Sequence, residues 1–368
     1  MEGTHRHLAA VVGAGPAGLY AAKELAANGV EVALINRDIK PGGLAEYGIY
    51  FDKYKMKNGL RAQFRQILNM PGVHYFGNVS VGNQRDLSLD DLRAAGFEAI
   101  LVTAGAQGTK WLGLPGEELA GVYHAKDLVY HYNRLPGYSQ RDFQIGKRVA
   151  LVGMGNVMMD IAHYLISEKQ VDEVMALARR GPAEAKFDRK ELETVEANLD
   201  LAAYDAEVDR VSDLMRSLGE DPEQVKEFIH STMEKALPTH SNTHFTMHFL
   251  VSPVRILGDG AGRVCGVEVE DNTLVMDASG EIKARSLGTR RILDVDTVVF
   301  AIGDRVDDAL GLPVDGSVFA VCREPRYPQE GASFEVNDPA SKCLVKDIFV
   351  AGWSRKASTG LVGVARKD

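Results

Sequence analysis

The apolar positions of this chain gather in short runs that end at glycine. Residues 8–12 (LAAVV) read as a buried strand, and residues 17–27 (AGLYAAKELAA), poor in β-branched side chains, read as a helix. Residues 30–35 supply the next strand. The same order returns at mid-chain, with a strand at 149–152, a helix at 157–167 and a strand at 173–178. Each first strand passes to its helix through a glycine-rich turn. One turn is Gly13-Ala14-Gly15-Pro16-Ala17-Gly18; the other is Gly153-Met154-Gly155-Asn156-Val157-Met158-Met159-Asp160.

A strand, such a turn and a helix together make a dinucleotide site. The first glycine permits a tight turn, the second lets backbone approach a pyrophosphate, and the third lets the helix pack close to the strand. The helix N-terminus offers N–H groups and a positive dipole to the anion. An Asp or Glu normally ends the second strand and binds ribose hydroxyls. Asn36 stands there in the first unit, able to hydrogen-bond a hydroxyl but without a carboxylate's charge. Pro41-Gly42-Gly43-Leu44-Ala45-Glu46-Tyr47-Gly48 follows, a loop whose backbone can lie flat against a large planar ring system. It points to FAD.

The second unit differs in two positions. Met158 replaces the third glycine, so close helix–strand packing is expected to be less comfortable. Arg179-Arg180-Gly181-Pro182 follows the second strand where an acid would favour NAD. Guanidinium groups suit a 2′-phosphate through paired, charge-assisted hydrogen bonds, which favours NADPH. A pair of merely solvated arginines is the competing account.

Composition narrows the class. With 42 Lys and Arg against 51 Asp and Glu, the formal charge of −9 argues against non-specific nucleic-acid binding. The 368 residues suffice for two domains. Cys265, Cys322 and Cys343 lie far apart, which excludes a redox dithiol of neighbouring thiols, a zinc ribbon and a cluster ligated by this chain alone. A reducing compartment is expected, and with it a cytoplasmic location. The apolar stretch 9–22 is broken by glycines and Pro16, and no run of 18 apolar residues exists, so neither a signal peptide nor a membrane span is expected.

With these motifs in hand, the chain resembles the adrenodoxin reductase family of ferredoxin–NADP⁺ reductases and, more distantly, the flavin subunit of glutamate synthase. Besides the two glycine turns, the likeness rests on Gly43-Leu44 with Tyr47-Gly48 and on Arg179-Arg180-Gly181-Pro182 with Phe187 and Lys190-Glu191-Leu192. Gly352-Trp353 and Thr359-Gly360-Leu361 complete it. The resemblance implies FAD at Gly13, Gly15, Pro16, Ala17, Gly18, Asn36, Gly43, Leu44, Tyr47, Gly48, Gly352, Trp353, Gly360 and Leu361. It implies NADPH at Gly153, Gly155, Asn156, Val157, Arg179, Arg180 and Glu191. Glu191, Trp353 and Gly360 would flank the reacting rings. Departures are Asn36, Lys53 for a histidine after Asp52, Ala357-Ser358 for Gly-Pro, and a chain that closes at Asp368 where the family's helix beside the flavin begins. A further segment or a partner is expected to complete that wall.

The expected fold is α/β, with two Rossmann-like, doubly wound, three-layer dinucleotide-binding domains, the second inserted in the first. Residues 1–107 and 306–368 would bind FAD, and 108–305 NADP(H). Residues 210–237 read as a polar helix, either an insert over the second domain or, the favoured account, a solvated helical face, and 264–269, 273–276 and 282–286 read as a short antiparallel meander. Hydride passes from nicotinamide C4 to flavin N5 once the rings are stacked, so no Ser-His-Asp or metal constellation is required, and no metal is expected. By resemblance the acceptor is a small acidic ferredoxin-like iron–sulfur protein. Lys53, Lys55, Lys57, Arg61 and Arg65, with Lys283, Arg285, Arg290 and Arg291, are docking candidates, and a solvated surface accounts for them equally well. Two other roles stay open: the electron-input flavin subunit of a larger redox complex, and a non-catalytic nucleotide-binding interaction or sensor protein.

Overall fold

In the computed structural model, which describes residues 6–239, 241–340, 343–357 and 362–368, the chain divides into two units. One comprises Met1–Lys110, Tyr132–Leu135 and Gly303–Asp368; the other comprises Trp111–His131 and Pro136–Ile302.

The chain opens with strand β1 (Leu8–Val12), helix α1 (Pro16–Ala27), strand β2 (Glu31–Asn36), the short helix α2 (Leu44–Tyr47) and helix α3 (Tyr54–Leu68). Strand β3 (Val73–Gly77), helix α4 (Leu89–Ala94) and strand β4 (Ala99–Val102) follow. The second unit brings strand β5 (Val122–His124), helix α5 (Ala125–Tyr132), strand β6 (Arg148–Val152), helix α6 (Asn156–Tyr164) and strand β7 (Glu173–Ala178). Then come helices α7 (Arg189–Leu192), α8 (Leu201–Ser217) and α9 (Pro222–His230) and strands β8 (His244–Phe249), β9 (Val251–Gly258), β10 (Val264–Met276), β11 (Ile282–Leu293) and β12 (Thr297–Phe300). The returning chain adds β13 (Glu335–Asp338), β14 (Cys343–Val350) and α10 (Val362–Ala365).

The first sheet has the order β13-β14-β4-β1-β2-β3, parallel except for the β13–β14 pair. Both its faces are covered. Val11, Val32 and Leu34 pack with Leu19 of α1 and Phe64 and Ile67 of α3. Ala10, Val12, Ile100, Val102, Ile348 and Val350 pack on the opposite side with Leu92 of α4 and with Leu310 and Phe319 of the returning chain. Burial on both faces explains why the strands read as unbroken apolar runs rather than alternating ones.

The second sheet, β5-β12-β6-β7-β8, is wholly parallel. Its Ala150, Val152, Met175, Leu177, Val298 and Phe300 pack against Ile256, Val264, Val267 and Val269 of a three-stranded antiparallel ribbon, β9-β10-β11. The expected meander is therefore a whole layer. Residues 264–269 and 273–276 belong to one strand, because the register shift between Glu270 and Asn272 marks an irregularity and not a turn. The preceding strand β9 escaped the sequence reading, since Pro253 interrupts its pattern.

The polar stretch at 210–237 also differs from expectation. Two helices occupy it, and the first begins earlier, at Leu201, where the Asp200 side chain accepts the Ala203 N–H at 2.9 Å. Asp221 caps the second in the same way, with Pro222 at its first position. Tyr204, Val208, Val211 and Met215 form a buried stripe on α8, so that helix is amphipathic and not solvated all round. Helix α6 passes into one π-helical turn, Leu165–Lys169, before Gln170 ends it with φ +50°.

Candidate functional site

Each glycine turn sits where the strand order of its sheet reverses. β1 lies between β2 and β4, and β6 lies between β7 and β12. In open α/β sheets the crevice beyond the carboxyl ends of such strands receives the ligand.

At the first turn Gly13 takes φ +108°, and a Cβ there would stand 2.5 Å from the Thr103 carbonyl oxygen. A Cβ on Gly18 would fall 1.9 Å from Gly13 O. Both glycines are thus demanded by the protein's own backbone. Gly15 is different: a Cβ there meets no protein atom within 4 Å. The second turn repeats the division, with Gly153 at φ +133° and its Cβ 2.4 Å from Ala301 O, while a Cβ on Gly155 would meet only Lys186 O at 3.9 Å. The middle glycines keep open space, the room a pyrophosphate needs.

The helices agree. α4, α8 and α9 begin with side-chain caps from Ser88, Asp200 and Asp221. α1 and α6 begin at Gly15 and Gly155 with no side-chain cap and no acid in the first turn. Their leading N–H groups and dipoles are left for an anion. The residues present therefore fit a dinucleotide at each turn.

Around the first turn the expected residues converge. Gly42 donates its N–H to Ala14 O at 2.7 Å, and a Cβ on Gly43 would lie 3.1 Å from Gly15 Cα, so the 41–43 loop rests on the glycine turn. Leu44, Tyr47 and Gly48 follow in and after α2. Tyr47 is buried, and burial first, then the negative fields of Asp38 and Glu46, push its phenol up to about 12. Gly352 and the half-buried Trp353 form a 3₁₀ turn after β14. Pro16 and Ala17 open α1. Gly360 and Leu361, with Ser358 and Thr359, lie outside the described residues.

Asn36 has a role the sequence reading did not foresee. It is 7% exposed; its Oδ1 accepts the Ala14 N–H at 3.0 Å, and its Nδ2 donates to Asp38 O at 2.8 Å and Lys40 O at 3.2 Å. The amide braces the glycine turn against the following loop, with its donors spent on the protein. Only the remaining Oδ1 lone pair faces the task of accepting a ribose hydroxyl. Thr103, also missed, donates its hydroxyl to Gly13 O at 2.7 Å from the end of β4. The small residues at 103–106 were the one sequence signal for it.

Around the second turn, Asn156 and Asp188 bond reciprocally: Asn156 Nδ2 donates to Asp188 Oδ2 at 2.8 Å, and Asp188 N–H donates to Asn156 Oδ1 at 2.7 Å. Lys186 N–H donates to Met154 O at 2.9 Å. This zipper fixes α7, and with it the half-buried Glu191, against the start of α6. Val157 is 46% exposed in the first turn of α6. Met158 is fully buried where a glycine was expected, so the helix accommodates the larger side chain inside the unit. Arg179 is exposed and Arg180 half-buried at the end of β7. Their backbones are held, Arg179 O by Asn272 Nδ2 at 3.2 Å and Arg180 O by Leu250 N–H at 3.1 Å. Among the described residues neither guanidinium has an ion pair or hydrogen bond.

The docking candidates fare unevenly. Lys57 is buried, donating to Asn133 Oδ1 at 2.6 Å and Ile49 O at 3.2 Å, and burial lowers its pKa. Arg61 clasps the buried Glu46 with two bonds of 2.7 Å. Lys283 pairs with Asp277, Arg290 with Glu270 and Arg291 with Asp271. Lys55, Arg65 and Arg285 are exposed and have no ion pair among the described residues. Among those residues no cluster of His, Cys, Asp and Glu could hold a metal, and no helix is long and apolar enough to cross a membrane.

Three outcomes are expected. Gly18→Ala will lower the thermal stability of the FAD-free chain by about 1–3 kcal/mol through overpacking, whereas Gly15→Ala will leave its melting unchanged and abolish flavin retention. Asn36→Asp, although it restores an acid, will weaken flavin retention on gel filtration, because a carboxylate cannot donate to Asp38 O and Lys40 O. Glu46 follows from its ion pair. Burial raises its pKa, the Arg61 bonds outweigh burial, and the net pKa lies below the ordinary 4.5. The unfolded chain therefore takes up the proton first, and the contribution present above pH 4.5 is lost as the pH falls through the folded value. Melting curves recorded downward from pH 5 will show a shallower decline in Glu46→Gln than in the parent.

Comparison with known proteins bears on all of this. The family model for pyridine nucleotide-disulphide oxidoreductase matches residues 8–236. The NADPH-ferredoxin reductase FprA of Mycobacterium leprae (strain TN) is 29% identical over 400 residues, which span 100% of this chain and 83% of the relative. The mitochondrial NADPH:adrenodoxin oxidoreductase of Salvelinus fontinalis is 27% identical over 394 residues, 97% of this chain and 75% of the relative. Among solved structures, Mycobacterium tuberculosis FprA in complex with NADPH superposes with a TM-score of 0.80 at 26% identity, covering 99% of this chain and 82% of that one. The chain belongs to the pyridine nucleotide-disulphide oxidoreductase family.

Proposed function

We propose that this chain is an NADPH-dependent FAD enzyme that passes electrons to a ferredoxin-like iron–sulfur protein. Its relatives named NADPH-ferredoxin reductase and NADPH:adrenodoxin oxidoreductase support the reading over nearly the whole chain. We further infer two Rossmann-like dinucleotide-binding domains, a discontinuous one for FAD (1–107 and 306–368) and an inserted one for NADPH (108–305). The observation that carries the reading is an asymmetry between two otherwise matching turns. Both leave an uncapped helix N-terminus, and only the second is followed by two arginines whose side chains have no ion pair or hydrogen bond among the described residues.

FAD, when bound, takes hydride from NADPH and can release electrons one at a time to a single-electron carrier. The chain's own part is binding and orientation. The N–H groups that begin α1 and α6 receive the two pyrophosphates. Arg179 and Arg180 receive the 2′-phosphate, and among the described residues no carboxylate pairs with either of them. Asn156 and Asp188 hold α7 against the start of α6, and Glu191 on α7 would contact the nicotinamide end. Trp353, on its 3₁₀ turn, would flank the flavin. A cytoplasmic, reducing location belongs to the same proposal, on the strength of three widely spaced cysteines.

The test is an anaerobic titration of the purified yellow chain with NADPH and then NADH, followed by reduction of a ferredoxin. NADPH is expected to bleach the flavin at far lower concentration. Joint replacement Arg179→Ala and Arg180→Ala should raise the NADPH needed for half-bleaching by about 100-fold and leave the NADH curve in place. An equal effect on both nucleotides would refute the 2′-phosphate assignment. Bleaching without any transfer to ferredoxin would refute the acceptor.

A further inference from the structure

The last described residues of the chain are fastened to the first unit in part by a buried carboxylate. The Asp368 side chain is 5% exposed. Its Oδ2 accepts the Gly352 N–H at 2.8 Å, its Oδ1 lies 2.9 Å from Lys356 Nζ, and the Arg355 guanidinium bonds to both oxygens. Arg355 is itself 9% exposed and lies 4.2 Å from the centre of the Phe334 ring. Burial works against the charge on Asp368, and the Arg355, Lys356 and Gly352 contacts outweigh it, so its pKa is lowered.

The turn so gripped is a junction. Gly352 has φ +64°, and a Cβ there would stand 2.7 Å from the Ala17 Cβ, so the turn lies directly on the first turn of α1. Ser354, fully buried, accepts the Gly105 N–H on its Oγ at 3.0 Å, which ties the same turn to the loop after β4. Ala351 N–H continues the β14–β4 register onto Val102 O at 3.1 Å. One residue pair before Asp368, Arg366 lies 5.0 Å from the centre of the Tyr20 ring on α1. The elements that meet here are those whose ends line the crevice of the first glycine turn.

We propose that Asp368 is a positioning residue for the flavin site, setting the Gly352–Ser354 turn, and hence Trp353, against the start of α1. The proposal rests on the FAD reading above. Replacing the carboxylate by an amide leaves one oxygen to serve the Gly352 N–H and the buried Arg355 and sets an NH2 donor where the second acceptor stood, so the grip on the turn over Ala17 is weakened. Shortage of charge, not of volume, is the defect, since Asn is nearly isosteric with Asp.

The experiment compares the full chain with Asp368→Asn and Asp368→Glu. The measurements are FAD dissociation constants by fluorescence quenching, the visible bands of FAD-saturated protein, and melting of the FAD-free forms. The expected result for Asp368→Asn is FAD binding weakened by about tenfold, shifted flavin bands at saturation, and a cooperative FAD-free melting transition at a lower temperature than the parent's. Asp368→Glu should recover part of the affinity. A parent that binds FAD, beside an Asp368→Asn variant of equal affinity and identical bands, overturns the proposal alone. A parent that binds no FAD overturns the functional reading and this inference with it. Loss of the melting transition in both variants also overturns the proposal, because Asp368 would then serve the fold and not the site.

Discussion

The contact on which the first unit depends is the approach of α1 to the end of β1. Gly18 and Gly13 come so near that a Cβ on Gly18 would overlap the Gly13 carbonyl oxygen, 1.9 Å away. No side chain fits there. That closeness aims the helix N-terminus at the crevice, and it lets Thr103 of the β4 end reach the Gly13 carbonyl at 2.7 Å. Gly42 on Ala14, Asn36 on Ala14 and the Gly352 turn on Ala17 are then all packed around a backbone position that two glycines define.

The second unit reaches a similar placement by another packing. Met158 in place of the third glycine is fully buried on α6, a position an unbranched, flexible side chain can fill. Alignment at the turn is instead secured by the zipper of Met154 and Asn156 with Lys186 and Asp188. Gly153 still takes its left-handed conformation under Ala301, so the turn is preserved while the helix contact changes. An antiparallel ribbon covers the sheet face away from α6, which leaves the helix face to α6 and α8.

Charge is allocated with similar economy. The chain is acidic overall, yet two of the five cations expected at 53–65 are consumed internally: Lys57 by Asn133 and Ile49, Arg61 by Glu46. A buried carboxylate with a bidentate arginine is a structural brace in a low-dielectric setting, since leaving either partner alone there is costly. Arg179 and Arg180 are the contrast. Their main chains are anchored, and among the described residues their side chains have no ion pair or hydrogen bond.

Local chemistry determined much of this in advance. Apolar runs bounded by glycine gave strands at Leu8–Val12 and Glu173–Ala178, and the glycine spacing gave both turns and the uncapped helices behind them. The two arginines after Ala178 were legible because their position follows from strand length alone. Other features depended on residues distant in sequence. Whether Asn36 faces a ribose or braces Ala14 is decided by the path of the 37–40 loop. Lys57 became internal only when Asn133, 76 positions later, arrived beside it. The single strand through residue 271 needed its partners on both sides to bridge an irregularity that sequence reads as a break. Asp368 carries no motif, and its role is visible only where β14 returns the chain to β4. Sequence sets what a short segment can form under its own steric and polar limits; which polar group meets which is settled by contacts that close across the fold.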